Sequence, residues 1–544
     1  MSTTAAVSRA TRREWVGLAV IALPCLLYSM DLTVLFLAVP HLSADLRPSG
    51  VQLLWITDIY GFLLAGWLVT MGTLGDRIGR RRLLLIGSGA FGAASVLAAF
   101  STSPGMLIAA RALLGVAGAT LAPSTLSLLR TMFQDPSQRT LAIGVWIASF
   151  SAGAAIGPLA GGVLLERFWW GSVFLLAVPV MGLLLAVGPA LLPESRDPAA
   201  GRLDLRSAGL SLAAVLAVIY GLKQLAQDGP GWPPALFILA GLAVGVVFVR
   251  RQRALPDPLL DLSLFRSPAF GAALAANTLD FFVSFAALLF IAQYLQLVLG
   301  LSPLQAGLWM LPSSLGFIVG SLLTPLLVCR ARPAFVMAGG MGLATVGFGL
   351  LTKVDSAGLA VLVAGSVVFS LGSAPMTTLA TDLMVGTAPP ERAGAASGIS
   401  ETSSEFGGAL GIAVLGVIAT AVYRGQVADT VPAAVPAEAA AAAGDSLGGA
   451  VAAAGQLPDQ LGAALLDAGR QAFTQGLQLS FALSAAVAAG VAILVAVLLR
   501  HVDATSEPPA EPDPCPDGPC AGKVGVIKVK GHAAGRKHGH EDLT

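Results

Sequence analysis

The chain has 544 residues, of which 55% are hydrophobic and 12% are charged, and its mean hydropathy is +0.79. A soluble domain carries roughly 25% charged residues because its surface faces water, so this composition excludes an ordinary soluble protein and indicates a surface that faces lipid. The net charge of +1 gives no sign of the basic surface by which a protein binds nucleic acid. Four cysteines are too few and too scattered for a disulfide framework.

Apolar runs of the length that crosses a bilayer, roughly 20 residues, recur along the whole chain. The first begins close behind a short basic N-terminus, and its length indicates a retained helix rather than a cleaved signal peptide. The pattern predicts an all-α integral membrane protein with about fourteen transmembrane helices, near residues 16–40, 51–72, 83–101, 105–129, 140–165, 171–192, 207–226, 234–250, 269–298, 304–328, 334–352, 358–384, 394–422 and 472–499.

The charges between these spans predict how the chain is oriented. With the N-terminus inside, arginines collect in the cytoplasmic connections, namely Arg77, Arg80, Arg81, Arg82, Arg139, Arg196, Arg202, Arg206, Arg250, Arg251, Arg253, Arg266, Arg330, Arg332 and Arg392. The outer connections hold only Arg47, Arg167, Lys223, Lys353, Arg424 and Arg470. This asymmetry follows the positive-inside rule, so we expect both termini in the cytoplasm. Arginine greatly outnumbers lysine and alanine is abundant, which suggests a GC-rich bacterial genome, and we therefore expect a bacterial inner membrane.

Two segments fall outside the predicted spans. Residues 425–469 are rich in alanine, and they form either a short amphipathic hairpin over the extracellular mouth or a flexible loop. The tail at 503–544 is polar and proline-rich, which predicts disorder. Its cysteines and histidines lack zinc-finger spacing, and we predict no metal site.

A glycine-rich string joins spans two and three: Gly72-Thr-Leu-Gly75-Asp76-Arg77-Ile-Gly79-Arg80-Arg81-Arg82. Glycine permits a tight turn and a close helix approach, and Asp76 can pair with a nearby arginine or cap a helix, forming a latch. An ordinary basic loop explains the arginines but not the spacing of the glycines and the aspartate. The string resembles the loop signature of the major facilitator superfamily.

Spans four and five carry two further strings. Arg111, with Gly115 and Gly118, resembles the proton-linked motif of that superfamily, although Leu114 stands at the position of its usual glutamine. An arginine within an apolar span is costly and marks function or pairing, unless it snorkels to an interface. Span five resembles the signature of drug:proton antiporters through Gly153-Ala-Ala-Ile-Gly157-Pro158-Leu-Ala-Gly161-Gly162, in which small residues allow close helix packing.

The resemblance implies the major facilitator fold of two six-helix bundles, here with two additional helices. The bundles would comprise residues 1–192 and 267–502, and the additional helices residues 193–266. A weak internal repeat supports two parallel halves, because Gln138-Arg139 and Glu391-Arg392 each open a glycine-rich span after a short loop.

Six acidic residues lie within predicted spans, and one of them, Asp382, stands near the inner end of span twelve, where we expect it at the interface. Each of the other five costs about 2.5–3.5 kcal/mol and is expected to serve a function. Asp31 follows Met30 in span one, and Asp58 stands in span two. With Glu401 and Glu405 of span thirteen, four positions apart on one helix face, they resemble the QacA/SmvA-type quaternary ammonium compound exporters among the fourteen-helix drug:proton antiporters. Asp280 matches no family motif, and only its place in span nine suggests a role.

These acids predict a mechanism. Desolvation favours the protonated form of a carboxyl group and a bound cation favours the charged form, so protons and cationic drugs compete for the same charge. We therefore expect a monomeric, proton-coupled multidrug efflux antiporter for lipophilic mono- and divalent cations, with the proton gradient in place of a cofactor. The alternatives are an exporter of one natural product and, with less support, a transporter-like sensor. No nucleotide-binding or catalytic motif suggests an enzyme.

Overall fold

The computed structural model describes residues 10–196, 204–228, 231–255, 264–355, 358–387, 393–432 and 434–500. No β-strand occurs in these ranges. The first helices are α1 (Arg12–Leu46), α2 (Gly50–Ile78), α3 (Arg80–Ala99), α4 (Pro104–Gly118), α5 (Leu121–Met132), α6 (Pro136–Arg167), α7 (Ser172–Leu175), α8 (Ala177–Leu191), α9 (Leu205–Asp228) and α10 (Trp232–Ala254). The others are α11 (Pro268–Gln293), α12 (Pro303–Val328), α13 (Pro333–Leu351), α14 (Leu359–Thr387), α15 (Ala393–Thr430), α16 (Ala437–Asp445), α17 (Leu447–Ala454) and α18 (Asp459–Leu498).

Several helix starts follow from local sequence signals. Ser49 accepts a hydrogen bond from the amide of Gln52 (3.2 Å), and the Gln52 side chain accepts one from the amide of Ser49 (3.0 Å). Ser302 and Gln305 form the same capping box at the start of α12. Such a box satisfies two backbone donors that a helix N-terminus otherwise leaves unpaired.

Thirteen segments of the described residues are helical, long and apolar enough to cross a membrane. Three are built from consecutive helices: α4 with α5, α7 with α8, and α11 with a π-helix over Tyr294–Val298. The predicted all-α membrane fold is therefore confirmed. The predicted span at 140–165 is not among the thirteen, but it lies in α6, whose 32 residues reach about 48 Å, more than the hydrocarbon thickness of about 30 Å.

The helices pack as two groups. In the N-terminal bundle α1 packs against α6, α2 against α4, and α3 against α4 and α8. In the C-terminal bundle α11 packs against α15, and α13 against α14 and α18. The two bundles meet mainly where α2 packs on α15 and where α6 packs on α12. The residues of this seam position the candidate site.

The hairpin of α9 and α10 packs against both bundles. A Cβ on Gly221 would lie 2.8 Å from the carbonyl oxygen of Pro234, and one on Gly241 2.7 Å from that of Ala214. The two helices therefore approach closely through glycine. On its other side α9 contacts α2 and α15, and Ile219 joins a buried apolar cluster with Phe62.

Residues 425–469 are mostly helical. Helix α15 continues to Thr430, α16 and α17 pack against each other, and α18 begins at Asp459. The hydroxyl of Tyr423 donates to the carbonyl oxygen of Ala443 (2.7 Å), and Gly448 lies against Ser43 of α1. Of the two alternatives, the helical hairpin is the one observed. The tail at 503–544 and the loop at Glu391-Arg392 lie outside the described residues.

Hydrogen bonds tie the two bundles together at one end of the seam. Ser302 donates to Oε1 of Glu166 at 2.5 Å, and Nε2 of Gln296 donates to the carbonyl oxygen of Leu37 at 3.0 Å. Glu166 lies at the end of α6 and Ser302 precedes α12, while Leu37 lies in the second half of α1 and Gln296 follows α11. By the predicted orientation this is the extracellular end.

Candidate functional site

Asp31 and Arg111 form a buried ion pair within the N-terminal bundle. Nη1 of Arg111 lies 2.6 Å from Oδ2 of Asp31, and its Nε donates to the carbonyl oxygen of Ile56 at 3.3 Å. The guanidinium also stands 4.5 Å from the ring centroid of Tyr60. Arg111 is fully buried, so it does not snorkel to an interface. An ion pair this deep requires both partners, since either one alone would be an uncompensated charge.

Asp58 is paired with a residue that the sequence placed in an outer connection. Lys223 lies within α9, and its Nζ is 2.8 Å from Oδ2 and 3.0 Å from Oδ1 of Asp58. The ammonium also sits 3.8 Å from the ring centroid of Trp55. The prediction that Lys223 is an outer-loop charge is wrong, because the lysine turns into the seam and reaches an acid on α2.

Glu405 is buried in the seam. Its Oε1 accepts a hydrogen bond from the Tyr28 hydroxyl at 2.8 Å, which joins α15 of one bundle to α1 of the other. Glu405 and Asp58 line the same cavity of about 20 Å³ with Phe36 and Phe285, a volume that holds about one water molecule. The structure therefore brings an acid from each bundle to one aromatic-lined place.

Glu401 precedes Glu405 by one helical turn on α15 and is half-buried. Its spacing from Glu405 places both acids on the same side of the helix, as the sequence predicted.

Asp280 lies apart from these acids, inside the C-terminal bundle. Its carboxylate accepts hydrogen bonds from the hydroxyls of Ser373 and Thr377, the second at 3.0 Å. Asn277, one turn earlier on α11, donates to Ser403 and Ser404 of α15 at 2.9 Å. Asp280 thus belongs to a hydroxyl-rich cluster that joins α11, α14 and α15, not to the seam.

The glycines of α6 let two neighbouring helices approach closely. A Cβ on Gly153 would lie 2.1 Å from the carbonyl oxygen of Leu26, and one on Gly157 2.1 Å from Oγ1 of Thr33, both on α1. Gly161 faces Val34 of the same helix.

On its other face α6 packs on α12. A Cβ on Gly162 of α6 would lie 2.7 Å from Cα of Leu304, and a Cβ on Gly307 of α12 would lie 2.5 Å from the carbonyl oxygen of Pro158. The small residues of this string therefore serve close packing, both within a bundle and across the seam.

The loop between α2 and α3 is held by an acid after α8. Asp76 pairs with Arg80 at 2.5 Å, so it does not cap α3. Gly79 has φ of 111° and lies against the carboxylate of Glu194, which accepts a hydrogen bond from the Arg81 amide at 3.2 Å.

Two other residues of this loop contribute less. The carbonyl oxygen of Arg77 accepts hydrogen bonds from Arg196 at 3.3 and 3.4 Å, while the Arg77 side chain is exposed. Gly72 meets its nearest neighbour, Pro123, only at ordinary contact distance. The latch therefore depends on Gly79, Asp76 and the segment after α8.

A second polar contact fixes the start of α9 outside the spans. Burial acts to raise the pKa of Asp204, but hydrogen bonds from Ser207 and Arg251 outweigh it and lower that pKa below its ordinary value. Nη2 of Arg251 lies 3.0 Å from Oδ1 of Asp204. This contact joins the start of α9 to the end of α10.

The family model described as Major Facilitator Superfamily matches residues 21–412. The chain belongs to the major facilitator superfamily. Among relatives in this superfamily, the chain is 46% identical to the multidrug efflux pump LfrA of Mycolicibacterium smegmatis over 79% of this chain and 85% of that protein. It is 37% identical to the methyl viologen resistance protein SmvA of Salmonella typhimurium, over 76% and 84%. It is 35% identical to the puromycin resistance protein pur8 of Streptomyces alboniger, over 78% and 85%.

Solved structures of the superfamily share the fold. A bacterial homolog of the human lysosomal transporter Spinster, inward-facing and unoccupied, matches with a TM-score of 0.65 at 16% identity, over 90% of this chain and 98% of that chain. The nucleoside transporter NupG matches with a TM-score of 0.56 at 11% identity, over 88% and 99%. The chain is thus a multi-span membrane transporter by family.

Sequence reasoning missed several residues of the candidate site. Lys223 and Tyr28 partner the acids Asp58 and Glu405, and Glu194 holds the loop after α2. For Lys223 a signal existed, because it stands five residues before the end of an apolar helix. A lysine within a span is costly unless it is paired.

Proposed function

We propose that this protein is a proton-coupled multidrug efflux antiporter that exports lipophilic mono- and divalent cations. We further propose that it works as a monomer in the bacterial inner membrane, with both termini in the cytoplasm and the proton gradient as its energy source. The relatives LfrA and SmvA, named for multidrug efflux and methyl viologen resistance, support export of such compounds.

One observation carries the proposal: Asp58 and Glu405, one from each bundle, line a cavity with Phe36 and Phe285. Carboxylates and ring faces are the groups that attract an organic cation. Because the two acids belong to different bundles, a cation held between them has different contacts when the bundles move apart. Binding and conformation are coupled only through such a difference in contacts.

The acids also supply the coupling to protons. A carboxyl group in a cavity of this size loses most of its hydration, which favours its protonated form, and an arriving cation favours the charged form. A bound cation and a bound proton therefore exclude each other, and linkage makes that exclusion reciprocal. Protons that enter from outside would expel the drug there.

The test is ethidium efflux from cells that express the chain, with and without a protonophore, for the wild type and for Asp58→Asn and Glu405→Gln. We expect efflux by the wild type to stop on uncoupling, and each variant to lose at least about tenfold in rate, the effect of about 1.4 kcal/mol. Asp459→Asn, at an exposed acid, is the matched control and should transport normally. Efflux that resists the protonophore refutes proton coupling, and normal efflux by both variants removes these acids from the mechanism.

A dedicated exporter of one natural product is the second candidate. Relatives named for puromycin resistance and for tetracenomycin C resistance and export, from Streptomyces alboniger and Streptomyces glaucescens, favour it. A panel of structurally unrelated cations separates the two functions. A multidrug exporter protects cells against most of the panel, whereas a dedicated exporter protects against one compound and its close analogues.

A further inference from the structure

Asp58 already holds an organic ammonium, and the additional helix α9 supplies it. Nζ of Lys223 lies 2.8 and 3.0 Å from the two carboxylate oxygens and 3.8 Å from the centroid of the Trp55 ring. Both side chains of the ion pair are at most 1% exposed. A carboxylate under an ammonium that rests on an indole ring is the arrangement that would bind a cationic substrate.

The pair is costly as a device that only holds helices together. Apolar contacts already attach α9 to the seam through Ile219 and Phe62, and Leu212 packs closely on Gly66 of α2. A buried ion pair is often no more stabilising than apolar residues of the same volume. Its presence at the seam therefore points to a use of its charge.

We propose that Lys223 is a tethered cation, which occupies the Asp58 subsite between transport cycles and leaves it as a neutral amine when a cationic substrate binds. This inference rests on the proposed function and adds Lys223 to the acids as a group that gives up a proton in it. An ammonium displaced from its carboxylate would lie among the buried side chains of the seam, where an unpaired charge is far more costly than a neutral amine.

The exchange balances in atoms and charge. The incoming cation takes the contact with the Asp58 carboxylate, one N–H bond of the Lys223 ammonium breaks, and its electron pair stays on Nζ as the proton passes to water. The net charge of the subsite is zero before and after the exchange. One proton therefore leaves Lys223 for each monovalent cation that binds, and a neutral molecule gains no access to Asp58.

The charged groups on the helices packed against α9 leave this exchange to Lys223 and three acids. On α2 the partner is Asp58 itself, and on α15 the acids are Glu405, which lines the same cavity, and Glu401, one turn earlier. The basic residues of α10 stand at its far end, where Arg251 pairs with Asp204. Glu405 therefore contributes to the pH dependence, and the test must compare variants rather than read one slope.

Lys223→Arg separates a proton-releasing lysine from a structural one. A guanidinium keeps the charge, the pairing and the ring contact, but it does not lose its proton in a protein. The assay is ethidium binding to the purified transporter in weakly buffered detergent solution at several pH values, with the released protons counted. Lys353→Arg, at an exposed lysine, is the matched control.

For Lys223→Arg we expect release of about one proton fewer per bound ethidium than for the wild type, and about tenfold less gain in affinity per pH unit. Its affinity should fall by at least about tenfold, while Lys353→Arg stays as the wild type. A Lys223→Arg variant that binds and releases protons as the wild type does overturns the inference and leaves the proposed function standing. A wild type that binds no ethidium overturns both.

If arginine is too large for the site and the Lys223→Arg variant does not fold, Lys223→Gln tests the inference instead. With the tethered competitor removed, ethidium should bind at least as tightly as to the wild type. Weaker binding by a folded Lys223→Gln variant shows that the lysine only supports the position of Asp58, and it overturns the inference.

Discussion

Gly153 of α6 offers a sharp test of why the span-five string contains glycine. In Gly153→Ala the new Cβ would lie 2.1 Å from the carbonyl oxygen and 2.9 Å from the carbonyl carbon of Leu26. Both are backbone atoms, so no side chain can turn away. Carbon atoms prefer separations of about 3.5–4.0 Å, so α1 and α6 must separate by about 1 Å or more.

The magnitude follows from two terms. Overpacking of this kind costs about 1–3 kcal/mol of stability, and we expect about 3 kcal/mol here because the contacted atoms are rigid backbone. Alanine in place of glycine in a helix returns about 1 kcal/mol. Gly182→Ala on α8 is the matched control, because a Cβ there meets nothing within 4 Å and only the favourable term applies.

The difference between the two variants isolates the steric term, and we expect it to be about 3 kcal/mol. Thermal unfolding of both purified proteins in the same detergent measures it, with Gly153→Ala below the wild type and Gly182→Ala at or above it. If the two variants unfold at the same temperature, the close approach of α1 and α6 does not govern the choice of glycine at this position.

Two further predictions concern ion pairs. Asp31→Asn leaves Arg111 buried without its carboxylate, which should cost about 3–5 kcal/mol and lower the unfolding temperature. The double variant with Arg111→Gln should recover much of that loss, and strict additivity in the cycle would contradict the pairing. The lowered pKa of Asp204 stabilises the fold above the ordinary aspartate pKa of about 3.9, and this contribution is lost as the pH falls through the lowered value. Asp204→Asn should therefore destabilise the protein at pH 7 and have no effect at a pH below that lowered value, whereas an effect independent of pH would refute the assignment.

Hydropathy and loop charge were enough to predict the spans, because the length of an apolar run is a local property. Neither hydropathy nor loop charge indicates which buried side chains pair with each other. A lysine within an apolar run indicates a buried partner, but Lys223 follows Asp58 by 165 positions, and neither segment indicates that the two residues pair. Glu194 likewise serves Gly79 from 115 residues away, in a segment whose composition suggests only a polar loop.

The acids show the same limit of what a sequence can predict. Their presence in apolar runs predicted burial, and Asp58 and Glu405 do meet across the seam. Asp280 also stands within an apolar helix, but its carboxylate accepts hydrogen bonds from Ser373 and Thr377 instead. Which face of a helix an acid occupies depends on how helices from distant segments pack, and periodicity alone does not provide that.

The hairpin of α9 and α10 has a mechanical consequence. Because α9 touches α2 of one bundle and α15 of the other, it would lose one of these contacts if the bundles rock as the proposed function requires. The ion pair with Asp58 fastens it to α2, while against α15 it has apolar neighbours such as Ala409 and Ala413. With an ion pair to α2 and only apolar contacts of this kind to α15, the hairpin would move with the N-terminal bundle, and α15 would slide past it.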